Sequence, residues 1–495
     1  MYPLSLFISA VSFVLAAIYF VRKPSFNIFH PVSVYMAFQL LIFVVRPIVG
    51  YYLGYDAMYR GFQFTPSESN RVTVILASNA GFLMFVAGAL YTGNVPMRFN
   101  QTAADMAERR NLRAAFLWVW VLLGPLALYS VLASVGQVDT GLALDRSTGV
   151  AYNTTTSGYA TDAQIMFISL TCVLAWIYRF RLLALLPLIS YCLYRATTGY
   201  RVMMILAIFM ALLLYAFDRK IARPNWRILM VIGLSISAFV YIGADRGQGV
   251  REALGIAEEQ VSRSESDAKF MESMDFANME FFEYLVWVIP EKSGTYDYFL
   301  DNFQIFTEPV PRTFWTGKPM GEPFRRIWLM EYGTPFGMTR SLPGEGWYAF
   351  GWPGVIFWCG IWGLSLGWVY RKFAQGPKTT LRVVTYLSFE ITLIPFYRDG
   401  QLLTFVRLVG PVLLPCGAWL LFAKWSGVEW SRQIARRAGR LGLPGRKGPD
   451  LAAVTAPGRN PDGPDSAAKR GAARRLPPAV LRRQIALARD RDDPE

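Results

Sequence analysis

The chain has 495 residues, 53% of them hydrophobic, with 15 Trp, 25 Tyr and 35 Phe. Charged residues make up only 17%, against roughly 25% in soluble domains, which excludes an ordinary soluble protein and marks an integral membrane one. The formal charge of +15 sits mostly in loops beside apolar segments and in the tail, so membrane orientation accounts for it and no nucleic-acid partner is expected.

Eleven apolar windows follow one another, near 2–21, 32–54, 72–92, 114–134, 163–178, 182–194, 202–217, 228–244, 350–370, 383–397 and 402–423. A hydrocarbon core needs about 20 helical residues, or fewer where packing allows, so the expected fold is all-α and polytopic, with about 11 transmembrane helices. The sixth window is short and follows Arg179-Phe180-Arg181 closely, so one bent hairpin or one long helix across windows five and six is the alternative there. Residues 1–21 lack a basic leader and a small-residue cleavage site before Arg22, and are expected to be a retained span rather than a signal peptide.

Orientation follows from the basic residues of the short loops. One set holds sixteen Lys and Arg and the opposite set six, which places Met1 outside the cytoplasm and the tail inside. The organisation expected is spans one to eight in 1–244, one large extracytoplasmic loop in 245–349, spans nine to eleven in 350–423, and a disordered basic cytoplasmic tail in 424–495. The four cysteines lie within or beside apolar windows at irregular spacing, which suggests small buried hydrophobes and neither a disulfide framework nor a zinc site. His30, the only histidine, falls on the cytoplasmic side.

The large loop carries the chemistry-bearing residues, as loops held by a rigid scaffold often do. Its first part, to Asp301, is acidic, and Phe270, Met274, Phe276, Phe281, Phe282, Tyr284 and Leu285 mark the apolar side of a helix expected to lie on the membrane surface. The second part, from Asn302, sets Arg312, Lys318, Arg325, Arg326 and Arg340 among Trp315, Trp328 and Trp347. Cations interleaved with aromatic rings suit a ligand with phosphate at one end and sugars at the other; an interfacial belt of Trp and Arg is the bland alternative. Arg195, Arg201 and Arg398 crowd the same outward face against the orientation bias, as a bound polyanion would explain. Arg46, Glu390 and Arg407 stand inside apolar windows and require partners or a polar cavity.

Among the outward carboxylates, Glu345 lies between Gly344 and Gly346, where a sugar would approach closely. It also precedes a span where partial desolvation would raise its pKa towards the working pH. The competing role is a cap on the following helix, and Asp399 is the rival base.

Three segments carry a family resemblance. Arg-Ala-Thr-Thr-Gly-Tyr-Arg at 195–201, Pro-Val-Pro-Arg-Thr-Phe-Trp-Thr-Gly-Lys-Pro at 309–319 and Pro-Gly-Glu-Gly-Trp-Tyr-Ala-Phe-Gly-Trp-Pro-Gly at 343–354 resemble, in order and context over roughly 1–425, signatures of Wzy-type polysaccharide polymerases. Tyr200 departs from a position where Ser is more usual. The resemblance implies a GT-C-like, inverting, metal-independent glycosyltransferase of the bacterial inner membrane that needs no cofactor. Its substrate would be an undecaprenyl-pyrophosphate-linked oligosaccharide in the periplasm, with membrane lipid around it and a chain-length regulator protein as a conceivable partner. An O-antigen ligase and a lipid-linked oligosaccharide flippase are the alternatives.

Overall fold

Long apolar stretches that cannot leave backbone amides unpaired in lipid fold as helices, and every window named above does so. The computed structural model describes residues 1–101, 103–133, 142–144, 151–153, 162–197, 201–244, 271–272, 276–307, 315, 326–333 and 339–427. The chain divides into two units, Met1–Arg436 and Arg437–Glu495; the second, with nearly all of the expected tail, lies outside the described residues.

The first helix is α1 (Tyr2–Val21). Next, α2 (Pro31–Gln39) runs through a π-helical turn, Leu40–Val45, into α3 (Arg46–Leu53). After the short α4 (Ala57–Phe62) come α5 (Glu68–Gly93) and α6 (Ala103–Ala133). A 3-10 turn, Ala163–Ile165, opens α7 (Met166–Ile177), followed by α8 (Leu182–Thr197), α9 (Arg201–Asp218) and α10 (Trp226–Ala244). The loop region contributes α11 (Asn278–Val288) and the single turn α12 (Gln304–Thr307). The chain ends its described part with α13 (Leu342–Gln375), α14 (Thr380–Ile391), α15 (Leu393–Asp399) and α16 (Leu402–Trp425).

Among the described residues six helices are long and apolar enough to cross a membrane: Tyr2–Val21, Pro31–Leu53, Glu68–Gly93, Ala107–Leu132, Leu342–Gln375 and Leu402–Trp425. Ala163–Ile177, Leu182–Thr197 and Val202–Asp218 are apolar but shorter. Large apolar side chains such as Phe7, Leu15, Trp118 and Val121 face outward, which water would not tolerate over so wide a surface. The protein is a polytopic membrane protein. Windows five and six are two helices, joined through Arg179 and Phe180 at φ 55 and 54 and packed on each other. Beside the helices, the three-residue segments Leu142–Leu144 and Ala151–Asn153 pair antiparallel.

The most extensive helix pairing joins α5 to α13. A Cβ at Gly363 would collide with the Phe85 carbonyl, and one at Gly367 with that of Ala89, so these residues are small because two backbones meet there, as in membrane helix pairs generally. At Phe350 and Gly351 α13 leaves helical geometry. The bend brings Gly346 so near Gly354 that a Cβ on it would lie 2.7 Å from the Gly354 oxygen, whereas eight residues of straight helix rise about 12 Å. The kink therefore separates a short cap, 342–349, from the long segment 352–375, and we read the span as beginning after it.

The helix expected to lie on the membrane surface does not. In α11 every residue except Trp287 is buried; Phe281, Phe282, Tyr284 and Leu285 are wholly covered by an apolar cluster that also contains Phe62, Phe64, Ile75 and Tyr348. An apolar stripe flanked by acidic residues suggested an interfacial helix, but those acids have buried partners, and this turns the helix into a core element.

Candidate active site

The cap of α13 starts at a strained residue. Ser341 has φ 62 and ψ 161, a region that side chains occupy only when surroundings dictate it. Its amide donates to the Arg398 carbonyl at 2.9 Å, and its hydroxyl accepts from the Gly344 amide at 3.3 Å. Ser341 is thus the helix cap, and the capping role set against Glu345 belongs to it. Gly400, at φ 78, fits against Ser341 because a Cβ there would strike the Ser341 carbonyl. The loop before α13 and the turn before α16 are thereby locked together, with Asn278 at the start of α11 pinning both. Its Nδ2 donates to the Thr339 carbonyl at 3.1 Å, the Thr339 hydroxyl at 2.9 Å and the Arg398 carbonyl at 2.7 Å.

Arg340 occupies the centre of this frame. Its guanidinium bonds Glu345 Oε2 at 3.0 Å and Asp301 Oδ2 at 2.9 Å and lies 3.7 Å from the ring centre of Tyr348. All three charged side chains are buried. Glu345 Oε1 also accepts from Asn302 Nδ2 at 3.3 Å, and Asn302 Oδ1 accepts from the Leu402 amide at 3.1 Å. Behind them Asp297, itself buried, accepts from the Asp301 amide at 3.0 Å. Asp301, Asn302, Gln304, Glu345, Gln401 and Leu403 line a narrow recess, in which Glu345 is wholly covered by protein.

Three carboxylates around one guanidinium cannot all ionise cheaply in a covered site. Burial pushes Glu345 up to about 7, with Arg340 opposing and Asp301 assisting. Burial, then the Asp301 charge, pushes Asp297 up to about 7 as well. Asp399, half-buried at the end of α15, is raised by burial against a Thr404 hydrogen bond and the charges of Arg340 and Arg398. A carboxyl group held near 7, as Glu345 is, suits a general base working at that pH.

A family model for the O-antigen polysaccharide polymerase Wzy matches residues 1–410. The chain belongs to that family. No curated protein and no solved structure matches it. The Wzy family membership makes this a membrane protein of polysaccharide biosynthesis with a polymerase role.

Of the residues expected at the Wzy site, the structure brings Glu345, Arg340, Arg398 and Asp399 together. Arg326 is exposed and stacks 5.4 Å over Tyr298, whose amide donates to Ala349 at the far end of the cap. Arg195 is wholly buried, donating to Gln164 Oε1 and lying 5.5 Å from the Tyr191 ring centre. Arg201 opens α9, its side chain outside the described residues, as are Arg312, Lys318 and Arg325. Trp315 is exposed. Trp347 is not a free platform for a sugar: it is buried, donates to the Ile289 carbonyl at 3.1 Å and packs against Phe282 and Trp352. The glycines beside Glu345 also have another explanation, since Gly346 meets the Gly354 backbone and Gly344 faces Ser341, Leu285 and Phe282.

Arg46 and Arg407, expected to need partners, have them in Glu280 and Asp162. Asp297, Asp301, Asn302, Tyr348 and Asn278 were not among the expected site residues. The sequence signal for Asp301 and Asn302 was the change from acidic to basic loop between them: the two halves meet at Arg340.

Proposed function

We propose that the protein joins undecaprenyl-pyrophosphate-linked oligosaccharide repeat units on the periplasmic face of the inner membrane, by inverting glycosyl transfer without a metal. The observation that carries this reading is the buried Arg340, Asp301 and Glu345 group, which lines a narrow recess in a chain of the polymerase family. Glu345 takes the proton of the acceptor hydroxyl as that oxygen attacks the anomeric carbon, and Arg340 holds the carboxylate in place. The pyrophosphate leaves with the bonding electrons, and its growing charge needs cations. Arg398 and Arg326 border this region, and Arg312, Lys318, Arg325, Arg195 and Arg201 are the other cations assigned to it. Asp399 is the second candidate for the base. On this reading eleven spans cross the membrane in a GT-C-like arrangement, with Met1 outside and the tail inside.

The test has two arms. Membranes carrying Arg340→Ala, supplied with the lipid-linked repeat unit, are expected to make no long-chain polymer and to accumulate single repeat units. Polymer of wild-type length from that variant would remove the Arg340 group from the reaction. In the second arm, cysteines placed at the exposed Glu331 and Gln375 are treated in intact spheroplasts with an impermeant thiol reagent. The native thiols are buried or, for Cys192, half-buried, so background is low. Glu331→Cys should label and Gln375→Cys should not, and the reverse pattern would end the periplasmic assignment.

A further inference from the structure

The turn that carries Asp301 has its two faces the wrong way round for water. It begins as a 3-10 turn, Leu300–Phe303, and continues into α12. Asp301 and Gln304, three residues apart, are both buried, Asp301 on Arg340 and Gln304 in the recess that Glu345 also lines. Phe303 and Phe306, equally spaced, face outward, 51% and 74% exposed, with their ring centres 6.3 Å apart. In a loop surrounded by water the phenylalanines would be covered and the acid and amide solvated, because removing apolar area from water is what drives folding there. With hydrocarbon outside, polar groups turn in and apolar ones turn out.

The neighbours of the turn identify those surroundings. Phe299, just before it, lies 5.9 Å from Phe357 and 5.1 Å from Trp358, ring centre to ring centre. Phe357 is itself exposed and stands five residues, about 7.5 Å, into the straight segment that begins at Trp352. Phe299 therefore packs beside the span, inside the point at which the span begins. The turn also packs against α16, whose Val406, Leu414 and Leu421 are exposed, so the outward phenylalanines continue the lipid-facing surface of two spans. At the start of the span Tyr298, Phe350 and Trp352 are exposed, and Arg326 lies over Tyr298, a composition typical of a membrane–water interface. Tyr298 and Phe299 take φ 56 and 63, a conformation held only where surroundings dictate it. The Asp297 and Tyr298 amides fix it by donating to the Tyr348 and Ala349 carbonyls at 3.1 and 2.8 Å.

We infer that residues 299–306 form a lipid anchor, with Phe303 and Phe306 set among the acyl chains of the leaflet nearest Glu345 while the inner face of the same turn carries Asp301 and Gln304. Bilayer lipid is the occupant of the exposed patch. The Arg340 group is thereby held at the depth of the headgroups, where the pyrophosphate of a lipid-linked substrate lies. This last step rests on the polymerase reading, and the anchor itself does not.

Depth in the bilayer tests the anchor. Full-length Phe306→Cys is labelled with a nitroxide and reconstituted in vesicles of phosphatidylethanolamine and phosphatidylglycerol. The native thiols are buried or half-buried, and the signal of labelled unsubstituted protein is subtracted. Oxygen concentrates in hydrocarbon and a nickel chelate stays in water, so the label at position 306 should relax with oxygen and be shielded from the chelate, whereas Glu331→Cys should show the reverse. Phe303→Cys gives a second reading, and the exposure of both phenylalanines spares the fold. A label at 306 met mainly by the chelate overturns the anchor. One met by neither reveals a second copy or another part of the chain on the patch and overturns it as well. Phe306→Asp, which would draw a charge into lipid, should lower polymer formation about tenfold, and Phe306→Trp should stay within about twofold of wild type. A wild-type rate in Phe306→Asp would detach the anchor from the Arg340 group. Polymer formed by wild type with the label in water sinks the anchor alone, whereas a label in lipid with no polymer sinks the polymerase reading alone.

Discussion

On one face of α11, Arg340 meets Asp301 and Glu345 with Asp297 behind them, so three carboxyl groups share one guanidinium. On the other, Arg46 and Arg71 stand against Glu280 and Glu283. Asn278 belongs to the first side, and Glu280 and Glu283 lie roughly 200° and 140° further round the helix, so one buried helix serves two clusters with different charge balance. An acid-rich group must keep a proton and can exchange it. Formal balance does not prevent the same in the second, where burial and then the Glu280 charge push Glu283 up to about 8. What sets the first apart is that it joins Glu345 to the loops that carry Arg340 and Asp399.

Removing one carboxylate from each cluster breaks the comparison most directly. Glu345→Gln leaves Arg340 paired with Asp301, so thermal stability in detergent should be unchanged or slightly higher. Polymerisation should nevertheless fall by about a hundredfold or more, as loss of a general base does. Glu280→Gln leaves Arg46 buried without its counter-charge and should cost about 3–5 kcal/mol of stability. The assignment fails if Glu345→Gln polymerises at near wild-type rate, in which case Asp399 becomes the base, or if the two variants lose stability equally.

The pH dependence sharpens the same contrast. With a folded value of about 7 against 4.5 for the free carboxyl, Glu345 binds its proton more tightly when folded. Its contribution to stability is full below 4.5 and lost as pH rises through 7. Activity runs the other way, because the base must be ionised: the polymerisation rate should climb about tenfold per pH unit below 7 and level off above it. In Glu345→Gln both dependences should flatten. A wild-type rate that is level from pH 5 to 8 would show that no group of this kind limits the reaction.

The sequence made the helices legible because apolar windows of membrane length have one fate, and each of the eleven windows is helical. It singled out Glu345, Arg340, Arg398 and Asp399, which the structure brings near one another, because Gly, Pro and charge at the edge of a span are visible one residue at a time. It hid Asp301, Asn302 and Asn278, whose roles exist only once loops some forty to 120 residues apart are brought together. Trp347 was misjudged for a related reason, since an indole reads the same whether its faces meet a sugar or Phe282 and Trp352. The burial of α11 was equally unreadable, because its acids look solvated until Arg46 and Tyr59 arrive from other helices.

The smallest effect expected belongs to Asn278, which touches neither the Arg340 guanidinium nor the Glu345 carboxylate in the described contacts. Its amide ties the Thr339 and Arg398 carbonyls together and so fixes the loops that carry Arg340 and Asp399. Asn278→Ala removes those bonds from a buried place and should cost about 1–3 kcal/mol. The consequence for catalysis is one of position: the loops should spread, raising KM for the lipid-linked substrate a few-fold and leaving the pH midpoint near 7. Asn278→Asp cannot donate to the two carbonyls while ionised, so it should resemble the alanine variant, whereas Asn278→Gln should recover part of the loss. A merely structural Asn278 would lower stability with KM unchanged in the folded fraction, and that result would detach α11 from the geometry of the Arg340 site.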